Sequence, residues 1–139
     1  MCIRDSANAI EPRKRMLSSM TPTIVRKDGE PVLLVGGVGG SRIITATLQV
    51  LLNVLEHGMN AQDAVNAPRI HHQWQPDTLY LERGISSDTA ALLESKGHRV
   101  ERNAGARSVT GAIHIRRGKS GTRYEGAADP RRRATAVGY

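Results

Sequence analysis

The chain has 139 residues, the length of one ordinary domain, and its 20 Lys and Arg against 13 Asp and Glu leave a net charge of +7. With 39% hydrophobic and 24% charged residues, its composition is that of a globular protein rather than a disordered tail. Aromatic residues make up 3% and Phe is absent, so a core must be built from Ala, Val, Ile and Leu, while Cys2 as the only cysteine excludes an intramolecular disulfide and a cysteine zinc site.

In chain order, residues 1–6 show neither helical nor strand periodicity and read as a junction, and residues 1–11 as a non-native or disordered leader with no apolar h-region of a secretory signal. Thr23-Ile24-Val25 and residues 31–35 flank Asp28-Gly29, a turn pair that predicts a β-hairpin. The second strand runs into a glycine loop, Gly36-Gly37-Val38-Gly39-Gly40, and Ser41 stands where a helix N-cap is expected. Over residues 42–57 the apolar positions Ile44, Leu48, Leu51 and Leu55 recur at helical spacing, with Ile43, Val50 and Val54 widening the stripe and Gly58 ending it. The most apolar stretch, residues 43–55, is broken by Thr45, Thr47, Gln49 and Asn53 and is too short to span a bilayer.

Asn60 is placed to cap a short helix through Val65 that Pro68 terminates, and a loop follows through Trp74. Leu79-Tyr80-Leu81 predicts a strand, residues 87–96 a helix stopped by Gly97, and Val100 a short β segment. Residues 108–116 alternate as a strand, turn at Gly118-Lys119-Ser120-Gly121, and return over residues 122–127 before Asp129-Pro130 breaks the pattern. Strands and helices that do not alternate regularly predict an α+β fold, an antiparallel sheet with helices packed on it.

The glycine loop is the first place where chemistry is expected. Residues without Cβ let backbone N–H groups approach a bound atom, and ahead of a helix N-terminus such donors suit a phosphate or the oxyanion of acyl transfer. The loop lacks the Lys-Ser/Thr pair of a P-loop and does not fit a dinucleotide fingerprint, and as a glycine loop it also reads simply as a tight strand-to-helix turn. Ser18 and Ser19 form a hydroxyl pair able to hold a carboxylate, although serines in loops more commonly shape turns. His71-His72 has no third ligand at metal spacing and reads as a packed, hydrogen-bonded pair; Arg13-Lys14-Arg15 and Arg131-Arg132-Arg133 read as solvated runs.

Together these segments resemble γ-glutamyltranspeptidases. Pro12-Arg13-Lys14-Arg15-Met16-Leu17-Ser18-Ser19-Met20-Thr21-Pro22-Thr23 is very similar to a segment of that family. In the same order follow Gly39-Gly40-Ser41-Arg42-Ile43-Ile44, Asn66-Ala67-Pro68-Arg69 with His71-His72-Gln73, Gly126-Ala127-Ala128-Asp129-Pro130-Arg131 and Gly138-Tyr139. The resemblance covers residues 12–139 and identifies them with the C-terminal portion of the family's small subunit. It implies an incomplete part of an N-terminal nucleophile hydrolase αββα sandwich, from a precursor that cuts itself into large and small subunits.

It further implies transfer of the γ-glutamyl group of glutathione, or of other γ-glutamyl donors, to amino acid or peptide acceptors or to water through an acyl-enzyme. By the same match Gly39 and Gly40 supply the oxyanion-hole amides, and Ser18 and Ser19 hold the donor's α-carboxylate. The attacking N-terminal threonine matches no residue of this sequence, and an arginine of the large subunit completes the carboxylate site. The resemblance implies no cofactor and no metal, and places the parent protein in the periplasm or outside the cell. The 139-residue chain alone is expected to be inactive and to expose apolar faces and sheet edges. Two other readings compete: a small basic anion- or nucleic-acid-binding module, suggested by the charge but opposed by the scarcity of aromatics, and a catalytically dead homologue that keeps the glutamyl pocket. The expected partners include no nucleic acid and no membrane span.

Overall fold

The computed structural model describes residues 9–105 and 108–138, so the expected junction at residues 1–6 lies outside the described residues, and of Gly138-Tyr139 only Gly138 is described. Two strands, β1 (Thr23–Lys27) and β2 (Glu30–Val38), form the expected hairpin with Lys27 opposite Glu30. Asp28 and Gly29 between them have φ of 53° and 83°, the two positive values that a two-residue turn matching strand twist requires. Helix α1 (Arg42–Leu55) and helix α2 (Ala61–Asn66) follow, then β3 (Ile70–His71), β4 (Leu79–Leu81), α3 (Ser87–Ser95), β5 (Val100–Glu101), β6 (Val109–Gly118) and β7 (Gly121–Ala128).

The main sheet is antiparallel, in the order β1-β2-β6-β7, and α1 and α2 pack on one face of it. Leu33, Val35, Ala112 and Ala127 from the sheet meet Val50, Val54, Ala61, Ala64 and Val65 from the helices. This core uses small and branched aliphatics in place of the missing aromatics. A second sheet, β3-β4-β5, was not foreseen as a separate unit: β3 pairs antiparallel and β5 parallel with β4. Leu79, Leu81 and Ala90 form its own small core under α3.

Two local expectations are corrected. The glycine run is not all loop, because β2 continues through Gly36, Gly37 and Val38, leaving only Gly39-Gly40 as the turn. Gly37 lies so close to β6 that a Cβ there would stand 2.4 Å from the Val109 carbonyl oxygen, so strand approach explains this glycine. On α1, the buried residues are Ile43, Ala46, Thr47, Val50 and Val54, whereas Ile44, Leu48 and Leu55 of the expected stripe are exposed. The helix is apolar on two faces, and periodicity alone does not say which one meets the sheet.

The sheet face opposite α1 and α2 is also apolar. Ile24, Leu34 and Ile113 stand side by side across β1, β2 and β6, along an open groove of about 560 Å³ bordered by Ala136 and Val137. Gly36 pairs with Gly111, and Ile113 with Gly126, which keeps this face low and flat. Gly37→Ala is expected to destabilise the folded protein by about 1–3 kcal/mol through overpacking. Gly118→Ala, at the exposed β6-β7 turn and with nothing within 4 Å of its Cβ, is neutral or stabilising. Thermal melts of the two variants in the protein that carries this segment check the pair.

Candidate active site

Gly39 (φ 144°) and Gly40 (φ 61°) connect the end of β2 to the head of α1 in a conformation that residues with a Cβ rarely adopt. Their carbonyls start the helix, accepting from the amides of Arg42 (3.3 Å) and Ile43 (3.1 Å). Their own amides meet no acceptor among the described residues, and they sit at the positive end of the α1 dipole. This is a pair of donors suited to a developing negative charge.

Ser18 and Ser19 lie on the segment leading into β1. Ser18 Oγ accepts from the Met20 amide at 3.3 Å, a local turn bond, and Ser19 is half-buried. Thr21 Oγ1 reaches Thr47 Oγ1 on α1 at 3.2 Å, anchoring the segment to the helix that the glycine turn opens. Thr23 pairs with Val35, and the strands are antiparallel, so residues before Thr23 run along the direction of Gly36 to Gly40. No hydrogen bond joins the serine pair to the glycine pair among the described residues.

Ser41 occupies the N-cap position, but its side chain makes no capping bond. Its hydroxyl donates instead to Gln73 Oε1 at 2.6 Å. Gln73 Nε2 donates to the Gln75 carbonyl (2.9 Å), which fixes the amide orientation, so Oε1 accepts also from His71 Nε2 (3.0 Å). His71 therefore carries its proton on Nε2, and its Nδ1 accepts from Thr45 Oγ1 at 2.7 Å, the shorter of that hydroxyl's two contacts. Burial lowers the His71 pKa, outweighing the Gln73 bond, and the charges of Arg42 and His72 lower it further, so the ring is neutral at pH 7. The two histidines are not a mutual pair as expected: His71 is buried beside Tyr80, while His72 faces outward to Asp77 at 3.0 Å.

The sequence reading missed a second cluster, made of residues it used only to mark the resemblance. Asp129 is buried at the end of β7, and its Oδ2 accepts from Arg69 Nη2 (2.9 Å) and from the Thr110 amide (2.9 Å). Arg69, also buried, donates further to Val65 O (2.7 Å), Thr110 Oγ1 (2.8 Å) and Ser108 O (3.3 Å). Arg131, expected to be solvated, pairs with Asp129 Oδ1 (3.1 Å) and Glu82 Oε2 (2.6 Å) and donates to the Val65 and Ala67 carbonyls. Burial and the neighbouring Arg131 push Arg69 down, yet a guanidinium starts so high that it stays charged. Other arginines are also paired: Arg102 with Glu94, Arg117 with Glu30, and Arg116 and Arg123 with Glu125.

Burial by itself would raise the Asp129 pKa, but the Thr110 and Arg131 amides and the Arg69 guanidinium together hold it below the ordinary carboxylate value. A carboxyl depressed in the folded state adds stability that is present above its unfolded pKa and lost as pH falls through the folded one. Acid titration of folding is expected to show a loss beginning near pH 4 that Asp129→Asn lacks. Asp129→Ala, which strands Arg69 in the interior, costs about 3–5 kcal/mol, and Glu82→Gln costs less because Arg131 keeps its other acceptors. Denaturant titration checks the order.

Comparison with known proteins gives the family of the chain. The family model described as Gamma-glutamyltranspeptidase matches residues 2–139. The chain is 52% identical over 125 residues to the glutathione hydrolase proenzyme of Escherichia coli K12, covering 90% of this chain and 21% of that protein. It is 48% identical over 144 residues to the glutathione hydrolase proenzyme of Pseudomonas sp. strain A14, covering 99% and 25%. It therefore spans about a fifth to a quarter of the length of these relatives. Among solved structures, the T380A mutant of the Helicobacter pylori γ-glutamyltranspeptidase superposes with a TM-score of 0.86 at 43% identity, over 92% of this chain and 69% of that one. The Bacillus halodurans cephalosporin acylase does so with a TM-score of 0.77 at 27% identity, over 88% and 23%. The fold is α+β, part of the N-terminal nucleophile hydrolase sandwich, and the chain belongs to the γ-glutamyltranspeptidase family.

Proposed function

We propose that residues 12–139 form the C-terminal portion of a small subunit whose whole enzyme moves a γ-glutamyl group from glutathione, or another γ-glutamyl amide, to water or to an amino acid or peptide amine. The observation that carries this reading is the Gly39-Gly40 turn, two acceptor-free amides at the head of α1. In the proposed reaction a threonine hydroxyl outside this sequence attacks the γ-carbonyl. The carbonyl oxygen becomes an oxyanion facing the Gly39 and Gly40 amides, and its collapse expels the amine and leaves a γ-glutamyl ester. Water or an acceptor amine then attacks the ester carbonyl through a second oxyanion at the same amides, whose collapse breaks the ester bond, passes the attacking group's proton to the threonine oxygen and releases glutamate or the new γ-glutamyl amide.

Ser18 and Ser19 are assigned to the donor's α-carboxylate. Their hydroxyls donate to it and hold the carbonyl in line for attack. The apolar sheet face along Ile24, Leu34 and Ile113 fits the second sheet of an αββα sandwich, supplied by the rest of the precursor, including its large subunit.

The test is γ-glutamyl anilide hydrolysis by the full-length enzyme. Gly40→Ala, strained at a φ of 61°, turns the amide away and is expected to lower kcat about 10²-fold, in the range of losing one oxyanion donor. Ser18→Ala and Ser19→Ala are expected to raise the donor KM about tenfold or more, from loss of a bond to a charged group. Unchanged kcat in Gly40→Ala would refute the oxyanion assignment. The 139-residue polypeptide by itself is expected to release no anilide above background, and measurable turnover would overturn the assignment of the nucleophile to residues outside it.

A further inference from the structure

The glycine turn is backed by side chains to which the proposed reaction gives no task. Both residues after Gly40 reach away from α1 to the β3-β4 unit. Ser41 gives up the capping bond and donates to Gln73, 32 residues on, and the Arg42 guanidinium lies over the Tyr80 ring at 4.5 Å. Gln73 is in turn fixed from two sides, by the Gln75 carbonyl and by His71, which is locked between Thr45 of α1 and Tyr80 of β4. The Ser41 hydroxyl thus ends on an oriented acceptor. Its Cα is one residue from Gly40, whose own backbone has the freedom of a glycine.

A different pair of bonds holds α1 against β3. Gln49 donates to the Ile70 carbonyl and accepts from the Ile70 amide, both at 2.8 Å. Breaking the Ser41–Gln73 bond therefore leaves the helix docked and loosens only its first turn.

We propose that Ser41 and Gln73, oriented by His71, are positioning residues that aim the Gly39 and Gly40 amides. The inference rests on the oxyanion reading above. An amide pair that wanders by an ångström loses about 10²-fold in rate, because the stabilisation depends on donors already in place. The ground-state carboxylate site at Ser18 and Ser19 lies outside this set, so the effect belongs to kcat and not to KM.

The experiment uses the full-length enzyme and a γ-glutamyl anilide with water as acceptor. Ser41→Ala and Gln73→Leu are each expected to lower kcat about 10- to 100-fold with unchanged donor KM; Ser41→Ala leaves Tm unchanged, whereas Gln73→Leu, which also removes the acceptor of His71 Nε2, lowers it. The double variant is no slower than the slower single one, because both remove the same bond. Ser41→Thr, which keeps the hydroxyl, recovers most of the rate. Gln49→Ala, in contrast to Ser41→Ala, lowers Tm.

Gly40→Ala serves as the reference. If it lowers kcat while Ser41→Ala and Gln73→Leu turn over like the wild type, the positioning role is overturned and the oxyanion reading stands. If Gly40→Ala itself leaves kcat unchanged, the oxyanion reading falls and takes this inference with it. A joint fall of kcat and Tm in Ser41→Ala that Ser41→Thr does not repair would show a merely structural role and overturn the proposal.

Discussion

The Asp129 carboxylate joins parts of the chain that no local pattern connects. One oxygen holds the Arg69 guanidinium and the Thr110 amide, and the other holds Arg131, which reaches on to Glu82. The end of β7, the start of β6, the link from α2 to β3 and the end of β4 therefore meet at one buried charge. Such a cluster is costly to bury and is tolerable only because nearly every donor and acceptor has a partner. Without it the small β3-β4-β5 sheet would be tied to the main sheet chiefly through α1. His71 and Tyr80 of that small sheet, with Gln73 in the loop between β3 and β4, are the groups behind the glycine turn.

The apolar surfaces describe a layer rather than a finished globule. The main sheet buries small aliphatics against α1 and α2 on one side and shows Ile24, Leu34 and Ile113 on the other, while α1 turns Ile44, Leu48, Leu52 and Leu55 outward. The uncovered sheet face matches the inner face of one half of a four-layer αββα sandwich, where it would pack on a second sheet, whereas that architecture places no further layer over the outer face of α1. A chain without Phe closes the sheet-to-helix gap mainly with Ala and Val, joined by Leu33.

What was legible in the sequence was local. Asp28-Gly29 specifies its turn by two positive φ values, and Asn60 caps α2 by accepting from the Asp63 amide at 2.8 Å. Gly118 and Gly121 close the β6-β7 hairpin where expected. What was not legible depends on partners far along the chain. Ser41 has the composition of a cap but spends its hydroxyl on Gln73; Gly37 looks like loop but is required by the approach of Val109; Arg131 sits in a basic run yet is drawn inward by Asp129 and Glu82. The choice of which α1 face is buried likewise follows from the sheet that packs on it. Of the candidate site, the glycine pair and the serine pair could be named from the sequence, whereas the network behind the turn could not, since Ser41 and Gln73 carry no signal until the fold brings them together.

The most direct measurement is a crystal structure of the full-length enzyme with a γ-glutamyl phosphonate, whose charged oxygen mimics the tetrahedral intermediate, bound at the site. The account predicts that oxygen within about 2.7–3.1 Å of the Gly39 and Gly40 amides, with the α-carboxylate on the Ser18 and Ser19 hydroxyls. A phosphonate oxygen turned away from both glycine amides, with the carboxylate held by other residues, would contradict it.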